Sequence, residues 1–398
     1  MEFVTDKFSF FVSLFTVSFI AYVAINSILR NSAISLILVL LKFGFFCFYF
    51  LFWSQYRPVF LSDDQVYYQE SLGLFREGNH SIFFLFTQEG ILSFIQVANG
   101  THIGYYIYNY LSFIIFGPYY YSPVILNVLF STFAACILYK TLRKGNVGTS
   151  FSYFFFIFYL LHWDIISWST FINMKDILVQ FLMLCAIFIM VSFKQDGFKL
   201  LQLIQLLLIL FVLLFIRFYF SYFICVTAIV FFIITQLNKL RSNITDLTLK
   251  ALVMVVMPMG FYFIFIALFS SRIDSIGPRS NVLIGFFRYL VTPFPLKIEA
   301  AYSFIAVSST LHWLLLLTLP VGLYYFIKHH FYNLMPFIIL FLLLSIFYGS
   351  FVELQGPRHR IPQIAILALL QAIGVNAIFN ALRNNRFRSL TNETSKDL

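Results

Sequence analysis

From Phe8 to Phe379 the chain is a near-continuous succession of apolar stretches, each close to the ~20 residues that an α-helix needs to cross the ~30 Å hydrocarbon layer of a bilayer. In lipid every backbone N–H and C=O has to find its partner within the protein, and helices meet that demand segment by segment. The chain is therefore expected to fold as an all-α polytopic transmembrane helical bundle. Composition points the same way. Of 398 residues, 61% are hydrophobic and 11% charged, too little polar surface to coat a water-soluble globule of this size. A soluble enzyme and a single-span anchor are both excluded.

The predicted spans are 8–26, 33–53, 103–116, 124–138, 147–161, 177–193, 200–216, 218–235, 251–269, 304–326, 331–347 and 361–379. They amount to about 11–12 helices in a single membrane domain over 1–383, followed by a short cytoplasmic tail at 384–398. The first run follows Glu2, Asp6 and Lys7 and is too long for a signal peptide, so an uncleaved first helix is expected. Basic residues cluster at Arg30, at Lys140, Arg143 and Lys144, at 194–199, 239–250 and 328–330, and at Arg383, Arg386 and Arg388. Because cytoplasmic loops are enriched in Lys and Arg, these define the inner side. The exterior loops are then 54–102, a large one after the second helix, 162–176, the Arg217 turn, 270–302 and 349–360. One parity problem arises. If 103–116 and 124–138, split by GPYYYSP, both crossed, everything downstream would invert; either 103–116 is too short and lies shallow or re-enters, the favoured expectation, or 81–97 also crosses despite its central Gln88, Glu89 and Gly90.

The net charge of +10 is dispersed among these loops rather than gathered on one face, so nucleic acid is not an expected partner. Cys47, Cys136, Cys185 and Cys225 are far apart inside apolar runs and suggest neither a disulfide framework nor a thiolate metal site. No phosphate-binding GxxxxGK[ST] loop, HExxH pair or GxSxG elbow is present, so an ATP-driven pump, a zinc protease and a serine hydrolase lack their usual signals.

Three exterior clusters are left to carry chemistry. Asp63 and Asp64 follow the second span; one suits a general base toward an acceptor hydroxyl and the other a metal or hydrogen-bond partner, whereas the structural alternative is a cap on the helix that follows. The segment HWDIISWSTFINMKDIL brings His162, Asp164, Lys175 and Asp176, with Lys175 and Asp176 as candidate ligands of a phosphate or an acceptor, or as a helix cap. GPRHRIP supplies Arg358 and Arg360, whose planar forks suit phosphate and whose exterior position runs against the charge bias. Arg217 is a second candidate anion ligand or a snorkelling turn residue. His102 is a candidate substrate contact but reads first as interfacial, and Lys42 in mid-span needs a partner that the sequence does not identify.

The order of these features resembles the GT-C class of membrane glycosyltransferases, the superfamily of protein O-mannosyltransferases and lipid A aminoarabinose transferases. The resemblance lies in Asp63-Asp64 followed by Tyr67-Tyr68, in His102 and Gly104 at the entry of a helix ending in Phe116-Gly117, and in Tyr139-Lys140 with Arg143-Lys144. It continues in Ser169 with Lys175-Asp176 and in Arg358-His359-Arg360 with Pro362. It covers residues 50–200 well and the rest loosely, with an extra helix before the acidic loop and no soluble domain after the membrane part. The resemblance implies a GT-C-like fold and a sugar donor on polyprenyl phosphate, with transfer to a glycan or lipid-linked acceptor outside a bacterial inner membrane. It implies Asp63 or Asp64 as base, with a divalent cation as the candidate cofactor on that pair, and Arg residues on the lipid phosphate. Alternatives from neighbouring classes are a polysaccharide repeat-unit polymerase, for which the Asp pair would be dispensable, and a lipid-linked sugar flippase, which would need charged residues along a midplane path.

Overall fold

The computed structural model describes residues 4, 6–59, 61–99, 102–197, 199–240, 260, 278–329 and 331–394. The predicted span 251–269 and most of the basic stretch 239–250 lie outside the described residues. In chain order the helices are α1 (Lys7–Leu29), α2 (Ser32–Phe48, prolonged by helical turns to Tyr56), α3 (Ser62–Glu77), α4 (Gln88–Val97) and α5 (Ile103–Phe116). They continue with α6 (Tyr121–Lys144), α7 (Thr149–Leu160), α8 (Trp163–Thr170), α9 (Asp176–Asp196) and α10 (Leu200–Leu240). The last are α11 (Val282–Val291), α12 (Ala306–Leu316), α13 (Leu319–His329), α14 (Phe331–Gly349) and α15 (Ile364–Thr394). The described residues form no β-strand beyond an isolated bridge between Arg279 and Phe351.

Seven of these helices are long and apolar enough to cross a membrane, and up to 9 spans result if the bent pairs α7–α8 and α12–α13 each count as one. The chain is thus an all-α protein with the helices of an integral membrane protein. Its tally differs from the predicted one for identifiable reasons. The expected span 147–161 is the first limb of a pair bent by 41°, and 304–326 is a pair bent by 60°. The expected pair 200–216 and 218–235 is present as two helical limbs of α10, parted by the extended residue Arg217 (φ −162°, ψ 85°). There the chain folds back on itself. Ser221 Oγ donates to Leu210 O at 2.7 Å, a contact 11 residues apart that a straight helix would hold roughly 16 Å apart.

The two ends of the bundle differ in chemistry. At one, Lys144 pairs with Asp196, Lys194 donates to Tyr332 O, and Asn333 Nδ2 donates to Gly145 O at 3.1 Å, so α6, α9 and α14 share a basic end. At the other, Asp6 caps α1 by accepting from Ser9 N and also accepts from Tyr119 OH at 3.3 Å, beside the start of α6. Helix α5 has both its termini at this second end. His102 at its start meets Ile216 O at 2.8 Å, next to Arg217, and Gly117 at its close (φ 88°) turns the chain into Tyr119 and Tyr120. It therefore does not cross, which removes the parity problem. Elsewhere the helices are held by close backbone approach. A Cβ on Gly322 of α13 would run into Leu370 O of α15, and one on Gly374 into Thr318 O, so both positions require glycine.

Candidate functional site

The acidic pair opens α3, where the free N–H groups and the helix dipole favour carboxylates. Successive residues of a helix diverge by about 100°, and the two Asp side chains separate accordingly. Asp63 is half-exposed and accepts from Arg358 Nη1 at 2.5 Å. Asp64 is fully buried; its Oδ2 accepts from Tyr120 OH at 2.8 Å, and its Oδ1 has no hydrogen-bond partner. The two carboxylates therefore part, Asp63 facing the site and Asp64 tying α3 to the start of α6.

The remaining members arrive from distant parts of the chain. Asp176 is the first residue of α9 and is buried; it accepts from Arg217, which the reversal within α10 delivers to this point, and lies 3.4 Å from Arg358 Nε. Arg358, on the helical turn Pro357–Arg360, therefore bridges Asp63 and Asp176. Lys175 donates to Tyr67 OH and lies 4.9 Å from the centre of that ring. Tyr67, four residues after Asp63 on α3, packs edge-on against Tyr105, Tyr106 and His102. Asp63, Lys175, Asp176, Arg217 and Arg358 thus form one cluster, to which sequence reasoning contributed every charged member and Tyr67 only as a companion of the acidic pair. Tyr120 was missed; its only signal was a polar-tipped tyrosine in the GPYYYSP break.

Electrostatics distinguish these groups. Partial burial pushes the Asp63 carboxyl upward, but the Arg358 guanidinium and the Lys175 amine outweigh it and hold the group below the usual carboxylate range. Asp64 is pushed up to about 7, because burial outweighs its bond from Tyr120. Burial, with Arg217 and Arg358 alongside, drives the Lys175 amine well below its ordinary value. His102 is lowered to about 3, by burial first and then by Lys175, so it is a neutral ring that meets the Ile216 carbonyl.

Two expectations require correction. Arg360 does not join Arg358: it is buried on another side of the turn, donating to Thr292 O at 2.7 Å and lying 3.5 Å from Asp164 Oδ2. Nor do Asp63 and Asp64 fit a divalent cation, since Asp63 is bound to a guanidinium, Asp64 is engaged by Tyr120, and basic side chains crowd the surroundings. Among the described residues no group of three or more His, Cys, Asp or Glu gathers to hold a metal. Lys42 finds its place as well. Its buried amine points at Leu160 O (3.4 Å), a carbonyl at the C-terminal end of α7, where the dipole favours a cation.

Next to the cluster lies an apolar hollow of about 640 Å³, lined by Phe45, Tyr49, Trp53, Phe171, Phe304 and Val307. It is continuous with a smaller hollow of about 150 Å³ that reaches Arg57 and shares Trp53, Val59 and Phe304. Phe45, Trp53 and Val307 are exposed on the bundle's apolar surface, so the hollow opens sideways. On its wall, Tyr49 packs on Phe171 with ring centres 4.9 Å apart and lies within electrostatic reach of Asp64, the neighbour of Asp63.

Comparison of the chain with protein-family models, with curated proteins and with solved structures finds no match.

Proposed function

We propose that the chain is a membrane glycosyltransferase that takes a sugar from a polyprenyl-phosphate donor and transfers it to a surface glycan or lipid-linked acceptor. The observation that carries this reading is a single juxtaposition: Lys175, Arg217 and Arg358 converge on Asp63 and Asp176 beside a sideways-opening apolar hollow. A lipid-linked phosphosugar needs both, cations for the phosphate and an apolar channel for the isoprenoid. Arg358 takes the donor phosphate by charge, the Lys175 amine adds a hydrogen-bond donor, and Arg217 stays committed to Asp176. Phosphate binding to Arg358 frees Asp63, the accessible carboxylate of the site, to accept the proton of an acceptor hydroxyl. The hydroxyl oxygen then bonds to the anomeric carbon as the carbon–phosphate oxygen bond breaks, with inversion, and the departing phosphate remains paired with Arg358. Stabilising that leaving group in a poorly solvated site is the largest contribution expected. The donor set gives no place for a divalent cation in this scheme.

The reading is tested by binding of farnesyl phosphate to the purified protein in detergent, followed by calorimetry. Hydrogen bonds to charged groups contribute about 1.5–3 kcal/mol, so Arg358→Ala should weaken binding on the order of 10- to 100-fold, and farnesol should not bind. Equal binding of farnesol and farnesyl phosphate, or no effect of Arg358→Ala, overturns it.

A further inference from the structure

A second polar cluster lies inside the membrane domain, separate from the Asp63–Arg358 cluster but flanking the apolar hollow, which is also lined by Leu161, Trp163, Ser167 and Ser308. His162 and Asp164 stand at the break between α7 and α8, His312 lies on α12 shortly before its break with α13, Arg360 closes the Pro357–Arg360 turn, and Gln371 lies on α15. All five are at most 2% exposed. Some of their polar atoms are engaged: His312 Nε2 meets Leu290 O at 2.9 Å, Gln371 Nε2 lies 3.5 Å from His312 Nδ1, and Arg360 holds Thr292 O. Many are not. Asp164 Oδ1, Arg360 Nε, Gln371 Oε1 and Oγ of the neighbouring Ser309 are buried without a hydrogen-bond partner, Asp164 Oδ2 has only the Arg360 guanidinium at 3.5 Å, and the His162 nitrogens have no well-aligned bond beyond the nearby Gln371 amide.

Each such orphan costs about 1–3 kcal/mol, and buried polar atoms in folded proteins are almost always satisfied. So many in one place cannot remain dry. We propose that these groups enclose a second polar site whose ligand is water, a hydrated chamber between the two broken helices. Water is favoured over an ion by the balance of charge. Asp164 and Arg360 cancel, and the others are neutral: each imidazole offers one donor and one acceptor, Gln371 an acceptor and Ser309 a hydroxyl. Bound waters typically bridge 2–4 polar groups each, and this set supplies donors and acceptors in the mixture they need. Arg360 is thereby anchored two residues from Arg358, so the chamber also fixes the turn that carries Arg358 into its cluster.

The test is hydroxyl-radical footprinting of the full chain in lipid nanodiscs, where radicals form at bound water. His162 and His312 should be oxidised roughly ten-fold faster than Met183 and Met190, which are intrinsically more reactive and equally buried in an apolar stretch of α9. Rates at or below those of the two methionines overturn the proposal. His162→Phe should lower His312 oxidation several-fold by displacing the shared water; an unchanged rate places the radical source elsewhere and also overturns it. Neither measurement depends on sugar transfer, so the chamber stands or falls separately from the proposed reaction.

Discussion

At the scale of single residues the account turns on neighbours with opposite fates. Asp63 and Asp64 are adjacent in sequence, yet one is half-exposed and held low by Arg358 while the other is sealed against Tyr120 and pushed up to about 7. The Asp64 shift has a stability consequence whose sign is fixed. A carboxyl raised in the folded state keeps its proton there while the unfolded chain, with an ordinary pKa near ~4, releases it, so stability falls as pH rises through that window. Melting temperature in detergent should therefore decline from about pH 4.5 to 7 at up to ~1.4 kcal/mol per unit, and Asp64→Asn should flatten the decline; an unchanged slope in the variant would mean that Asp64 is ionised when folded. The sequence exposed these residues as charges out of place in an apolar chain. It did not reveal which carboxylate meets which cation, because Arg217, Asp176 and Arg358 come together only through the reversal in α10 and the turn before α15. Arg358 and Arg360 looked equivalent for the same reason, and only packing separates them.

At the scale of elements, hydropathy located the helices well and their interruptions less well. Arg217 was legible as a break, since a charge between two apolar runs has nowhere to go but an end. His162 looked like the start of a loop, but Trp163–Thr170 continues as a buried helix, so its polar residues serve the bundle interior instead of an aqueous surface. Close contacts between helices left only glycine as a trace. Gly322→Val forces α13 off α15 and should lower the melting temperature by several degrees, on the order of the 1–3 kcal/mol cost of overpacking. Gly73→Ala on α3, where an added Cβ meets nothing within 4 Å, should be neutral or slightly stabilising through helix propensity. If both changes are tolerated equally, α13 and α15 do not pack as described.

At the scale of the whole molecule, the expected all-α membrane bundle is present, with Lys144, Lys194 and Asp196 at one end and the Asp63–Arg358 cluster at the other. The short α5 returns to the end it started from. Single cysteines placed at Ser62, Asn99 and Tyr119 should accordingly react with a membrane-impermeant thiol reagent from the same side, and one at Thr149 only from the opposite side; opposite labelling of Asn99 and Tyr119 would mean that α5 crosses. In the function proposed above, the charged cluster takes the phosphate of a lipid-borne sugar and the sideways-opening hollow takes its isoprenoid chain. The most direct test is the glycan composition of cells whose only copy carries Asp63→Asn, compared with Arg358→Ala and a null strain at matched membrane levels. Loss of the same single sugar or branch in all three, with chain length preserved, is the predicted result; retention of that sugar in Asp63→Asn, with Arg358→Ala collapsing the chains to single repeats, would contradict it.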